Sequence, residues 1–576
     1  MSFGGKPVTL NPVRAAFQRC RRHFIAAATF AAVSNLLLLT PSIYMMQVYD
    51  RVLPTRGLAT LAVLSAITLF ALATLSLLDW LRARVLVQAG AQIEDDLAER
   101  TLHTIMSQPA LTQSQRAEAL RDLDTLHQTV ASPATSALFD APWAPIYILA
   151  AFLLHPALGF LTVAAAVLML VLAWHNERSV RQPVRAAREA ANTAYARQAQ
   201  ISSQASEVRA LGMVSALTRR QIVDRGVVSN LRIEASLIGG THSSMMRFVR
   251  LSLQSGALAL GAILVVEGSV SGSAVFASSL LLSRALQPIE QIVGSWKSIL
   301  LARIAHEKLT ALFFEIPERA RTRLPAPTGA IEVERLTVAD PMSGRVALAD
   351  VSFTVAAGQI IGIVGLSGAG KSTLLRALSG AVPPSRGHVR FDGASSADWD
   401  PDQLATQIGY LPQDFMLFPG TVKANISRFR GLVNDDPDGI DEAVIAAARK
   451  IDAHEMILRL PDGYDTVIGA GGIGMSAGQS QRIALARALF GNPRLLLLDE
   501  PTAHLDSPAQ HAFVKTLSIL RQEQTTVLFA THSSDALASV DKLLLLKEGR
   551  LEKYGNLSEA RTVSRPVSHV PQKASL

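Results

Sequence analysis

Cysteine is almost missing from this chain: there is one, Cys20, in 576 residues. A single thiol excludes an internal disulfide framework and fits a reducing surrounding. It stands between Arg19 and Arg21 with no catalytic partner pattern beside it, which argues for a structural place rather than a nucleophile. Charge is scarce as well. Asp, Glu, Lys and Arg make up 18% of the residues, against about 25% in soluble domains, and the mean hydropathy is +0.26. Part of the chain is therefore expected in lipid. The net charge of +8 fits either nucleic acid or membrane-flanking arginines, and where the charges fall decides between them. The length suggests two or more domains.

Six apolar runs stand out, at 24–46, 58–78, 138–154, 157–174, 248–266 and 272–289. About 20 helical residues cross a bilayer, so these predict six transmembrane helices within residues 24–300. The first run is too long for a signal-peptide core, and further spans follow it. Arginines concentrate in the segment 1–23 and in two long polar stretches, 79–137 and 175–247, while the tight connections carry few. The positive-inside rule then puts both long stretches and both ends of the membrane part in the cytoplasm. That accounts for the basic charge without nucleic acid. Asp140, Arg250 and Arg284 fall in or beside the spans. Such charges line a path or sit near a membrane surface, and the surface is the preferred reading. Both polar stretches have helical spacing, so the membrane helices are expected to run on into the cytosol. Arg121–Asp124 and Val208–Met213, near their midpoints, are expected at the turns best placed to touch a cytosolic domain. A linker, 301–329, ends in Pro325-Ala-Pro-Thr-Gly329, a soluble α/β domain spans 330–555, and a polar tail, 556–576, closes the chain.

The soluble part carries the chemistry. Gly365, Leu366, Ser367, Gly368, Ala369, Gly370, Lys371, Ser372 and Thr373 match G-x-x-x-x-G-K-[ST]. A short β-branched run precedes them and a leucine-spaced helix follows, the context this motif requires. Glycines let successive N–H groups point inward at a triphosphate, and the helix N-terminus adds its positive end. Lys371 is placed to reach the β- and γ-phosphates and Ser372 to hold Mg²⁺. Arg494–Glu500 contains an apolar strand ending in two carboxylates, Asp499 suited to bind the metal through water and Glu500 to orient or deprotonate the attacking water. Gln413 is placed to reach Mg²⁺ and that water. His532 follows an apolar strand and is suited to the γ-phosphate, a role that rests on the whole set. Ser476, Ala477, Gly478 and Gln479 open a helix and offer a second phosphate-binding end.

Together these motifs resemble the nucleotide-binding domain of the ABC transporter superfamily, with Walker A at 365–373, Gln413 as the Q-loop residue and the signature at 475–479. Walker B falls at 495–500, the D-loop at Ala503–Asp506, and His532 matches the switch histidine. Six spans before one such domain resemble a half-size exporter of the type IV arrangement. The resemblance implies a homodimer in which each ATP lies between Walker A of one copy and the signature of the other. Tyr44–Leu53, Phe139–Tyr147 and Leu154–Gly159 further resemble the type I secretion permease/ATPases of protease and RTX-protein export. That implies ATP-driven export of an unfolded protein with a C-terminal signal across the bacterial inner membrane. A periplasmic adaptor and an outer-membrane channel are the implied partners, with lipid around the spans and the ATPase domain in the cytoplasm. The alternatives are export of lipids, drugs or small peptides, and a nucleotide-sensing membrane protein. About twenty residues precede the first span, too few for a peptidase-like domain, so leader cleavage is expected elsewhere. Two departures stand out: Leu336–Pro341 holds no aromatic to stack on adenine, and Ala477 replaces the signature's usual glycine.

Overall fold

The computed structural model describes residues 11–108, 111–314, 324–339, 344–433, 437–469, 472 and 474–556. The chain divides into two compact units, Met1–Pro317 and Glu318–Leu576.

The first unit is helical. Three of its helices are very long: Leu58–Ser107, Pro156–Ser203 and Val214–Val266, of 50, 48 and 53 residues. At about 1.5 Å rise per residue each spans more than 70 Å, over twice the roughly 30 Å of bilayer hydrocarbon. The expected extension of the membrane helices beyond the lipid follows from length alone. Prolines punctuate the shorter spans. Arg21–Leu37 gives way to Thr40–Gln47 at Pro41, and Pro133–Asp140 passes through a 3₁₀ turn, Ala141–Trp143, into Ala144–Leu154. Proline cannot donate to the preceding turn and restricts the residue before it, so a helix breaks or tightens there. At the His155-Pro156 turn the two helices close so tightly that a Cβ on Gly159 would lie 2.2 Å from the Phe152 ring.

Among the described residues, five helical stretches are long and apolar enough to cross a membrane. The sixth expected span is a helix, Gly272–Gly294, but it is less apolar than the others, because Ser278, Ser279, Ser283, Arg284, Gln287 and Glu290 lie along it. A small residue of the neighbouring helix Val214–Val266 lets the two approach closely: a Cβ on Gly261 would stand 3.0 Å from the Val275 Cα. The three charges singled out near the spans all have partners. Asp140 pairs with Arg82 at 2.6 Å and accepts from Asn35 Nδ2 at 2.9 Å, and Asn35 in turn accepts from the Tyr147 hydroxyl. Arg250 pairs with Glu290 at 2.6 Å, and Arg284 donates to Gln287 at 2.9 Å.

Two sequence expectations are corrected in this unit. Residues 121–124 are not at a turn: they lie inside the helix Gln113–Val130, where Asp122 is buried and paired with Arg188. The preceding helix ends at Ser107, so the turn comes earlier than the midpoint of the polar stretch. The other site does hold a turn, with the short helix Ala205–Ala210 leading to Gly212 at φ +66°. The expected linker also begins later than 301. Residues to Phe314 belong to the helix Trp296–Phe314, whose Ala305 and Leu309 are fully buried. Residues 315–323 lie outside the described ones.

The second unit is α/β. Its main sheet is formed by β3 (Ile360–Val364), β6 (Ile408–Leu411), β9 (Leu495–Asp499), β10 (Thr526–Ala530), β11 (Lys542–Lys547) and β12 (Arg550–Asn556). The spatial order is β12-β11-β3-β10-β9-β6, all parallel except the edge strand β12. Parallel strands are covered on both faces and read as unbroken apolar runs, as Leu495–Asp499 and Thr526–Ala530 do. Alternate residues feed two separate cores: Leu496 and Phe529 pack on one face, Leu497 and Leu528 on the other. A second, antiparallel sheet has the order β2-β1-β4-β5, from β1 (Ile331–Ala339), β2 (Val346–Val355), β4 (Arg386–Phe391) and β5 (Ala394–Ser395). The short pair β7 (Gly420–Thr421) and β8 (Val467–Ile468) stands apart.

Candidate functional site

In open parallel sheets ligands bind beyond the carboxyl ends of the strands. Four adjacent strands, β3, β10, β9 and β6, each deliver a singled-out residue there. The glycine loop follows β3, His532 follows β10, Asp499 ends β9 with Glu500 after it, and Gln413 follows β6. Strand order brings together residues up to 167 positions apart in sequence.

The loop's glycines answer to space and to backbone angle. A Cβ on Gly365 would lie 2.5 Å from the Leu546 carbonyl oxygen. Gly370 caps the helix Lys371–Leu378 at φ +99°, and a Cβ there would meet Leu348 at 2.7 Å. Only glycine suits that angle without strain. Lys371 is buried, and its ammonium donates to the carbonyls of Gly365 at 2.7 Å and Leu366 at 3.3 Å. The lysine thus bridges the loop to which it belongs.

Beside it, the Ser372 hydroxyl donates to Gln413 Oε1 at 3.4 Å. Asp499 is 2% exposed, and its Oδ2 has no hydrogen-bond partner. Burial holds its carboxyl above the usual carboxylate range, with the Glu500 charge adding to the rise, opposed by the nearby Ser372 hydroxyl and by the cations Arg376 and Lys371. A buried carboxylate oxygen without a partner is costly. Together with the hydroxyl and amide oxygens of Ser372 and Gln413 it makes the hard oxygen donor set that suits Mg²⁺. Glu500 adopts φ +49°, and its N–H donates to the Ala530 carbonyl at 2.9 Å. His532 Nε2 lies 4.0 Å from Glu500 Oε1.

The signature residues form a separate feature. Ser476 caps the helix Ala477–Leu489 in a reciprocal box: Gln479 N–H donates to Ser476 Oγ at 3.2 Å, and Ser476 N–H to Gln479 Oε1 at 2.9 Å. Ala477, in the first helical turn, has no positive φ, so its methyl meets no backbone objection. A Cβ on Gly478 would stand 3.1 Å from the His504 carbonyl oxygen. Ser476 and Ala477 are exposed, and among the described residues no hydrogen bond joins 476–479 to 365–373.

Three residues escaped the sequence reading. Gln481 is buried against the turn after Glu500, and Arg376 adds positive charge near Asp499. Arg428 donates to the carbonyls of Ala405, Ile408, Arg487 and Ala488, fixing the start of β6; burial pushes its pKa down to about 10. Their partners are backbone groups or distant charges, which carry no sequence signal. Of the region expected to lack an adenine-stacking aromatic, Asp340 and Pro341 lie outside the described residues.

Comparison with known proteins agrees with this geometry. A family model described as ABC transporter matches residues 348–503, and one described as ABC transporter transmembrane region matches residues 24–289. Residues 474–539 also match a model described as an AAA domain, putative AbiEii toxin. The chain is 38% identical over 548 residues to the type I secretion system ATP-binding protein PrsD of Rhizobium meliloti, covering 94% of this chain and 92% of that protein. It is 28% identical to the cyclolysin secretion/processing ATP-binding protein CyaB of Bordetella pertussis, covering 93% of this chain and 75% of that one. A solved bacterial Atm1-family ABC exporter with ATP bound shares the fold with a TM-score of 0.81 at 22% identity, over 95% of this chain and 99% of the other.

Proposed function

The chain belongs to the ABC transporter family, with a transmembrane domain and an ATP-binding domain, and from that premise we propose that it drives export of an unfolded protein by ATP hydrolysis. The observation that carries the ATPase half is the convergence of Lys371, Ser372, Gln413, Asp499, Glu500 and His532 at the ends of four neighbouring parallel strands. The cargo half rests on similarity to a protein named for type I secretion across nearly the whole of both chains.

In this reading Lys371 leaves its loop carbonyls for the β- and γ-phosphates, and the loop N–H groups cradle the rest of the triphosphate. Ser372, Gln413 and Asp499 would hold Mg²⁺, which supplies charge neutralisation on the phosphates. Glu500 orients the attacking water and accepts its proton. His532, next to Glu500, steadies the γ-phosphate. Ser476–Gln479 serve the ATP bound by a second copy, so the working unit is a homodimer with two composite sites. Closure around ATP moves the membrane helices, and hydrolysis resets them. The protein lies in the bacterial inner membrane with its ATPase domain in the cytoplasm. A periplasmic adaptor and an outer-membrane channel extend the path, and the cargo carries a C-terminal signal.

The test compares Glu500→Gln with the wild type in purified, lipid-reconstituted protein. ATP still binds while turnover falls on the order of a thousandfold. Undiminished turnover removes Glu500 from the role. Stimulation of the wild-type ATPase by a C-terminal signal peptide, and not by lipids or drugs, supports the protein cargo; the reverse pattern contradicts it.

A further inference from the structure

Gln481 has a side chain that the proposed chemistry does not use, yet it is 1% exposed with every polar atom engaged. Its Nε2 donates to the Pro501 carbonyl at 2.7 Å and the Glu500 carbonyl at 3.2 Å, and its Oε1 accepts from the His504 N–H at 2.8 Å. A single amide therefore grips three points of the turn after β9. That turn holds Glu500 at φ +49°, a conformation non-glycine residues keep only where the surroundings impose it. A second bond on the same side ties the next residue to the same segment: Arg482 pairs with Asp506 at 2.8 Å. Gln481 and Arg482 sit on the helix Ala477–Leu489, whose first turn is the signature. Gly478 on that turn also lies against His504. The signature helix and the Glu500 turn of one subunit are thus tied together at several points.

We propose that Gln481 is a positioning residue that links the two composite ATP sites through a single subunit. It holds Glu500 in place for the ATP bound by its own copy, and it transmits to that residue the position of the signature that contacts the partner's ATP. This rests on the paired-site reading given above. An amide is required, because the turn presents carbonyls at two points and an N–H at a third. A carboxylate satisfies only the N–H and faces two carbonyl oxygens. An apolar side chain satisfies none of them.

The test uses the full-length protein in lipid nanodiscs, comparing wild type with Gln481→Glu and, should that variant fail to fold, Gln481→Met, which has similar volume. Turnover falls on the order of tenfold to a hundredfold, since small displacements of a catalytic group carry costs of that size. Binding of a non-hydrolysable ATP analogue changes less than about threefold, a split between turnover and affinity that marks lost positioning. The Hill coefficient for ATP hydrolysis falls to that of independent sites. Parallel loss of analogue binding and melting temperature instead marks a folding role and overturns the proposal. In the same preparation Glu500→Gln is examined for a closed dimer holding two ATP. Its absence overturns the paired-site reading, and the coupling with it. A trapped dimer beside an unchanged Hill coefficient and turnover in Gln481→Glu overturns the coupling alone.

Discussion

His532 Nε2 lies 4.0 Å from Glu500 Oε1, although 32 residues separate them in the chain and each follows a different strand. Because β10 and β9 are parallel neighbours in register, Ala530 beside Asp499, the residues just beyond them meet at one place. The imidazole is two-thirds exposed and the carboxylate about a quarter, so the pair is open to solvent.

Replacing His532 by Ala is expected to lower ATP turnover by about a hundredfold while leaving nucleotide affinity nearly unchanged, the loss typical of one transition-state donor. Steady-state kinetics beside equilibrium binding of a labelled ATP analogue separate the two effects. A large loss of affinity with unchanged kcat would place His532 in ground-state binding instead.

Asp499→Asn is expected to abolish Mg²⁺-dependent turnover and, without nucleotide, to raise the melting temperature by a few degrees. The nearly isosteric amide removes a buried charge whose Oδ2 has no partner, and about 1 kcal/mol corresponds to roughly 2–4 °C in a domain of this size. Differential scanning calorimetry without nucleotide reads the shift. A lower melting temperature would mean the carboxylate is satisfied in solution.

The nucleotide loop was legible because its signal is local: spacing, glycines and flanking elements sit within the 19 residues from Ile360 to Leu378. The convergence of Gln413 and His532 on that loop depends on strand order, which is not written in either segment. Gln481 was invisible for a related reason, since its partners are backbone groups about twenty residues away that any side chains could carry. The membrane part shows the same division. Runs of apolar residues announced the spans, but the partner of Asp140 is Arg82, 58 positions earlier. The turn expected at Arg121–Asp124 falls elsewhere because a polar stretch need not fold at its middle; Asp122 is buried and paired with Arg188 inside the helix.

Arg82→Met is expected to destabilise the membrane unit by about 3 kcal/mol, because it strands Asp140 without its charge partner. The double variant Arg82→Met/Asp140→Leu recovers most of that loss. Thermal unfolding in detergent, run as a double-mutant cycle, measures the coupling. Additive effects of the two single changes would show that the pair contributes nothing.

Gly159→Ala is expected to cost about 1–3 kcal/mol, since the added methyl overlaps the Phe152 ring and the tight turn cannot repack without displacing it. Phe152→Leu, introduced with it, relieves part of the strain. If Gly159→Ala is as stable as wild type, the two helices do not close as described.

The central claim is that ATP used at Lys371 moves a protein out of the cell, and complementation in the native host tests it most directly. Deleting the gene, then supplying wild type or Lys371→Ala at equal abundance, allows the secreted proteins to be compared. The account predicts that at least one protein disappears from the medium and returns with the wild type but not with Lys371→Ala. An unchanged set of secreted proteins, or full restoration by Lys371→Ala, would contradict it.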